Sequence, residues 1–135
     1  MISYDANVLI YFFESHPEFG RSAQRVLAEG AQQGVVLSTV IWQEVLTGFL
    51  IANPKVVPNI KASLEALDRT TYLPVTTQIA ALASELSAET NTKIKGADAL
   101  HVATAIANNA RVFYTNDKQL IALNTVRHMA IRPLL

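Results

Sequence analysis

Short apolar runs alternate with helical segments along the sequence, which predicts an α/β fold: a doubly wound parallel sheet with helices on both faces. Residues 35–37 and 112–114 are apolar runs typical of buried strands, and residues 76–90 carry apolar side chains at helical spacing. The 135 residues contain no repeat and no low-complexity linker. We therefore expect a single domain spanning residues 1–135.

The predicted strands are short, and turn or capping residues bound them. The first strand runs into Asp5, Ala6 and Asn7, which favour the start of a helix, and the second strand follows Gly34. β-Branched and aromatic residues mark the fourth strand. Strands are thus predicted at residues 1–4, 35–37, 72–73 and 112–114, with an edge strand at residues 128–133.

The predicted helices have apolar residues three or four positions apart, and several stop at Gly, Asn or Pro. Asn53 and Pro54 end the third helix, while Asn108 and Asn109 are plausible caps of the alanine-rich sixth helix. Helices are predicted at residues 8–14, 22–34, 40–52, 60–67, 76–90 and 96–109, with a further helical segment after Asp117.

Net charge is zero, which argues against a lysine-coated, non-specific nucleic-acid binder. Residues 1–90 carry 5 basic and 9 acidic side chains, whereas residues 91–135 carry 6 and 2. This asymmetry is either a chance fluctuation or a basic region that holds a polyanion. The sequence has no cysteine, no signal-like N-terminus and no apolar run long enough for a bilayer, so we expect a cytoplasmic protein without a membrane partner.

Four acidic residues lie at or just beyond the predicted carboxyl ends of strands: Asp5, Glu44, Asp98 and Asp117. Ligands of doubly wound sheets bind at this edge, so these side chains are expected to converge. Taken singly, Asp5 and Asp117 could be helix caps, and Asp98 could be a first-turn carboxylate. Glu44 lies in an apolar segment, where its charge needs a partner or a metal unless the side chain faces solvent.

Clustered carboxylates repel each other unless their pKa values rise or a cation neutralises them. An all-oxygen cluster, without Cys and without His at ligand spacing, favours Mg²⁺ or Mn²⁺ over Zn²⁺. Such ions keep several waters and coordinate phosphate, which indicates phosphodiester chemistry. His16, His101 and His128 are given no role.

The segments ISYDANVLI, GADALHVATAI and YTNDKQL, with Trp42-Gln43-Glu44 between the first two, resemble the PIN domain and, more narrowly, VapC-type toxins. The resemblance implies that Asp5 and Asp98 are the principal metal ligands, completed by Glu44 and Asp117. It also implies that Asn7 and Thr115 order the site. Many relatives have Thr or Ser where this chain has Ala6. The implied reaction is metal-dependent hydrolysis of RNA, leaving a 5′-phosphate and a 3′-hydroxyl.

The resemblance also implies partners: an RNA substrate, an inhibitory antitoxin and a second copy in a homodimer. Tyr11, Phe12 and Phe13, with Phe49 and Leu50, are more apolar than short peripheral helices usually require. They are either ordinary core residues or, as the resemblance implies, part of a homodimer face or an antitoxin groove. Basic residues that flank Asp98 and Asp117 in sequence are candidates for weak RNA contacts, although they are also ordinary surface charges: Lys93, Lys95, Arg111 and Lys118.

Three alternatives stay open at this point. A phosphoaspartyl protein is disfavoured, because Asp5 lacks an acidic neighbour and a second Asp two positions later. A catalytically inactive PIN-like scaffold that binds RNA or protein is disfavoured, because all four acids are present. An RNA-processing nuclease that is not a toxin fits the sequence as well as a toxin does.

Overall fold

Five parallel strands and one short antiparallel strand form the sheet of the computed structural model, which describes residues 1–135. The order across the sheet is β3-β2-β1-β4-β6-β5. The first three strands are added in one direction from the central β1 and the later strands in the other, so the strand order reverses between the parallel neighbours β1 and β4. The strands are β1 (Ile2–Tyr4), β2 (Val35–Ser38), β3 (Thr70–Leu73), β4 (Val112–Tyr114), β5 (Thr125–Val126) and β6 (Met129–Arg132).

Seven α-helices connect the strands, and a 3-10 turn at Pro54–Val56 separates the third helix from the fourth. None of the helices combines the length and the apolarity needed to span a membrane. The helices are α1 (Ala6–Phe13), α2 (Gly20–Gln33), α3 (Val40–Ala52), α4 (Val57–Glu65), α5 (Thr77–Glu89), α6 (Gly96–Ala107) and α7 (Lys118–Leu123).

Side chains of the central strands alternate between two hydrophobic cores, one on each face of the sheet. Val35, Leu37 and Val112 pack with α1 to α4, whereas Val36 and Phe113 pack with α5 to α7. Burial on both faces explains why these strands are continuous apolar runs. The predicted doubly wound α/β fold is confirmed, with one antiparallel strand added to the parallel sheet.

A strand does form within residues 128–133, as β6, but the prediction that it lies at the edge of the sheet is wrong. The strand β6 pairs with β4 on one side and with β5 on the other, so the two-residue β5 is the edge. A tight turn joins β5 to β6 through Arg127 and His128, both at positive φ, where Asn or Gly is the usual residue. Such a short strand closed by an atypical turn has no sequence pattern to reveal it.

Two glycines give opposite predictions for stability. A methyl group at buried Gly30 of α2 would overlap Cγ2 of Val35 on strand β2. A methyl group at Gly48 of α3 would meet no atom within 4 Å. We expect Gly30→Ala to lower the free energy of unfolding by about 1–3 kcal/mol and Gly48→Ala to raise it by about 0.5–1 kcal/mol. Urea denaturation of both variants measures this. A Gly30→Ala variant as stable as the wild type would contradict the close packing of α2 on the sheet.

Candidate active site

The pairing of β1 with β4 brings Asp5 beside Thr115. Tyr4 lies opposite Tyr114, and the Asp5 N–H donates to the Tyr114 carbonyl at 3.2 Å, so the ladder continues one residue beyond β1. The buried Thr115 hydroxyl donates to Asp5 Oδ2 at 2.5 Å and accepts from the Asp117 N–H at 3.0 Å. One hydroxyl therefore connects two of the four acids.

Asp5 and Asp117 cap helices, which is one of the two roles that the sequence suggested for them. Asp5 Oδ1 accepts from the Asn7 N–H at 3.0 Å at the start of α1. Asp117 Oδ1 accepts from the Gln119 and Leu120 N–H groups at 2.8 and 3.2 Å at the start of α7. Because Asp5 caps α1, the helix begins at Ala6 rather than at Val8. Capping fixes both carboxylates at the carboxyl edge of the sheet.

Asp98 lies within electrostatic reach of the other three acids. Burial raises the pKa of Asp5 to about 6; the Thr115 hydrogen bond opposes this rise and the Asp98 charge adds to it. Burial also raises the pKa of half-buried Asp98, with further contributions from the charges of Asp117 and Glu44. For both groups burial is the largest cause of the raised pKa, and repulsion from a neighbouring acid adds to it. Asp98 thus lies within electrostatic range of the other three predicted acids, although no three of them stand together as a ligand group.

Glu44 has a partner that the sequence analysis missed. His101 Nε2 is hydrogen-bonded to Glu44 Oε1, and this contact joins α6 to α3. His101 follows Asp98 by three residues, a spacing that places both side chains on one face of a helix. That spacing was the available signal, but only the packing of α3 and α6 identifies the partner.

The donor set fits a hard divalent cation. The Asp98 carboxylate accepts no hydrogen bond, and no Lys or Arg forms an ion pair with any of the four acids. Oxygen donors without a neutralising cation are what Mg²⁺ and Mn²⁺ require. As arranged, however, no three His, Asp or Glu side chains stand together as a ready-made ligand group. The metal assignment therefore stays a prediction.

The predicted supporting residues fall into two groups. Thr115 and the Asn7 N–H contact Asp5 directly, and the exposed side chains of Lys93, Lys95 and Lys118 lie near the starts of α6 and α7. Arg111 is different, because it precedes β4 and lies at the opposite edge of the sheet.

Arg111 also has partners of its own at that edge. Its guanidinium donates to Glu29 at 2.6 Å and to Gln33 at 2.7 Å. Arg111 and Thr115 are four positions apart along the extended strand β4, a distance of about 13 Å. The structure therefore does not bring Arg111 to the acids, which corrects its expected placement beside Asp117.

The raised pKa of Asp5 predicts the pH dependence of stability in EDTA. An acid whose pKa is about 6 when folded and 3.8 when unfolded stabilises the fold fully below 3.8, and this contribution is lost as pH rises through 6. The loss from Asp5 amounts to about 3 kcal/mol. Urea denaturation between pH 4 and pH 7 should show it.

Asp5→Asn should flatten this pH dependence, because it removes the titrating group and retains a capping side chain. Asp68→Asn is the matched control, since Asp68 is exposed at the opposite edge of the sheet. An Asp5→Asn protein with the wild-type slope would contradict the assignment.

The Thr115 hydroxyl should stabilise the site. Thr115→Val leaves Asp5 Oδ2 without a donor and the Asp117 N–H without an acceptor, so we expect a loss of about 1–3 kcal/mol in unfolding free energy at neutral pH. Thr115→Ser keeps the hydroxyl and should lose less. Equal losses in the two variants, measured by urea denaturation in EDTA, would mean that packing and not hydrogen bonding is responsible.

Several solved toxin–antitoxin structures resemble this fold over nearly the whole chain, whereas no curated protein sequence matches it. VapBC2 from Rickettsia felis bound to a promoter DNA fragment superposes with a TM-score of 0.69 at 22% identity, covering 98% of each chain. DNA-bound VapBC from Salmonella typhimurium gives 0.69 at 17% identity over 100% of each chain. A toxin–antitoxin complex from Klebsiella pneumoniae gives 0.66 at 24%, covering 89% of this chain and 90% of the other. At these identities the likeness concerns the fold.

The sequence itself matches a family model, that of the PIN domain, over residues 2–125. The matched span contains all four acids and extends from β1 to the start of β5. With most of its length matched, and with the α/β sheet described above, the chain belongs to the PIN domain family.

Proposed function

We propose that this protein is a metal-dependent endoribonuclease and the toxin of a VapBC-type toxin–antitoxin pair. The observation that carries the proposal is that Asp98 lies within electrostatic range of Asp5, Glu44 and Asp117, and that none of the four acids has a Lys or Arg partner. Membership of the PIN domain family and the similarity to toxin–antitoxin structures support the nuclease and the toxin assignments respectively.

Asp5 and Asp98 would hold the cation, with Glu44 and Asp117 completing the acidic site. A bound Mg²⁺ or Mn²⁺ would offset the charge of the scissile phosphate and favour deprotonation of the attacking water. The protein contributes position: the Thr115 hydroxyl and the Asn7 N–H fix the Asp5 carboxylate, and the α7 amides fix Asp117. Asp98, which accepts no hydrogen bond, is free to turn toward a ligand.

RNA binding would depend on side chains around this acidic edge. Lys93 and Lys95 precede α6, and Lys118 begins α7, so all three are near the ends of the helices that carry Asp98 and Asp117. Contacts of this kind hold phosphates without reading sequence, and their strength falls with salt. Arg111 is left out of this group, because Glu29 and Gln33 engage it at the other edge.

The proposed protein partners are an antitoxin and a second copy of the chain. Aromatic residues of α1 and α3 form a partly exposed apolar surface in which Phe13 packs against Phe49 at a ring distance of 6.3 Å. Leu50 and Ile51 continue it, with 55% and 81% of their surfaces exposed. A helix of an antitoxin would bury such a surface, and a basic antitoxin side chain would neutralise the acidic site. The cytoplasm is the expected location.

Metal removal and charge removal test the enzymatic proposal. Purified protein should cleave structured RNA in Mg²⁺ or Mn²⁺ and not in EDTA. Asp5→Asn and Asp98→Asn should each lower the cleavage rate by about 100-fold or more, the order seen when one electrostatic group at a transition state is removed. End-labelled RNA resolved on gels gives the rate and the position of each cut.

Asp68→Asn provides the control for this assay, because it makes the same charge change on an exposed residue at the far edge of the sheet. It should cleave at the wild-type rate. Cleavage that survives both the chelator and the two Asn substitutions would show that the activity does not depend on the acidic site.

A further inference from the structure

His101 is almost completely buried, yet its imidazole is only half satisfied. It is 2% exposed on α6, and its Nε2 is bonded to Glu44 Oε1. Its other nitrogen, Nδ1, is buried and has no hydrogen-bond partner. Because a carboxylate can only accept, Nε2 must carry the proton in this pair.

The surroundings of His101 give no structural reason for a histidine. Its helical neighbours Ala99, Val102 and Ala103 are buried in the apolar core on that face of the sheet. A buried polar side chain normally has all its polar atoms paired, and leaving one unpaired is unfavourable. Glu44 is the only group that the His101 ring hydrogen-bonds, so the one polar contact that this buried imidazole makes is with that carboxylate.

Glu44 lacks the backbone contacts that restrain Asp5 and Asp117. Asp5 and Asp117 are held by backbone N–H groups at helix starts, whereas Glu44 lies inside α3 with 31% of its side chain exposed. A glutamate has three side-chain torsions, so an unrestrained one occupies many rotamers. The contact to His101 fixes Oε1 and leaves Oε2 without a hydrogen bond.

The contact also bridges the two faces of the sheet. The helix α3 belongs to the core on one face and α6 to the core on the other, so Glu44 and His101 meet across the edge where Asp5 and Asp98 lie. The His101 ring is close enough to act electrostatically on both Asp5 and Asp98. His101 therefore interacts with three of the four acids: it hydrogen-bonds Glu44 and acts electrostatically on Asp5 and Asp98.

We propose that His101 is a positioning residue, which holds Glu44 in place through Nε2–H so that the acidic site is assembled for a divalent cation. The role of the cation in this proposal rests on the proposed function, whereas the hydrogen bond between His101 and Glu44 does not. Removing a residue that does not touch the metal but hydrogen-bonds one of its carboxylate ligands commonly weakens metal binding by about 10- to 100-fold.

The first test needs no metal. Long-range ¹H–¹⁵N spectra of the protein in EDTA should show a His101 ring that carries a proton on Nε2, identified by its loss in His101→Gln. Glu44→Gln should shift this Nε2 resonance, whereas Glu65→Gln, an exposed change on α4, should leave it unchanged. A ring protonated only on Nδ1, or one that is indifferent to Glu44→Gln, would overturn the proposal.

The second test measures Mn²⁺ binding by calorimetry on folded variants. His101→Leu fills the site without a donor and should weaken binding by about 10- to 100-fold, while His101→Gln, whose amide can donate, should restore most of it. Thr104→Val is the control for removing a buried polar group from the same helix one turn later, and it should bind Mn²⁺ as the wild type does. If His101→Leu does not fold, His101→Gln alone decides the matter: it should bind Mn²⁺ nearly as tightly as the wild type, and a folded His101→Gln protein that has lost Mn²⁺ binding would overturn the donor role.

A double-mutant cycle separates positioning from general stability. In the Glu44→Gln background, His101→Leu should cause no further loss of Mn²⁺ affinity, because the carboxylate that it positions is gone. An additional loss as large as that in the wild type would overturn the proposal. If the wild-type protein itself binds no Mn²⁺, the nuclease proposal fails, and the ring spectra alone decide whether His101 holds Glu44.

Discussion

The register between β1 and β4 is the constraint on which the acidic site depends. Tyr4 lies opposite Tyr114, so the residues that follow the two strands, Asp5 and Thr115, become neighbours joined by a hydrogen bond. A slip of one residue would turn Asp5 to the other face of the sheet. Complete burial of Ile2 and Phe113 on opposite faces opposes such a slip, so core packing fixes the geometry of the site.

Much of this arrangement could be predicted from the sequence because it follows from two local rules. Continuous apolar runs indicate strands buried on both faces, and residues that follow parallel strands meet at one edge. These rules predicted the α/β fold, which is confirmed, and they led us to expect Asp5, Glu44, Asp98 and Asp117 at one end of the strands, where Asp98 lies within electrostatic range of the other three. Helix-cap preferences separately offered Asp5 and Asp117 as N-caps, and both residues have that role in the structure.

What the sequence could not predict depends on direction and on packing between distant elements. Arg111 and Asp117 are close in sequence, but β4 lies between them, so they occupy opposite edges of the sheet. The partner of Glu44 could not be inferred, because His101 is 57 residues away on a helix from the other face. The edge strand β5 has only two residues, too few to form a pattern.

The capping roles of Asp5 and Asp117 have a consequence for how this fold changes over time. Asparagine caps a helix about as well as aspartate, so Asp-to-Asn changes at these two positions remove charge while they retain the starts of α1 and α7. A duplicated copy would thus lose its acidic site through single substitutions without losing its fold. Such a copy would keep the partly exposed apolar surface of α1 and α3 unchanged.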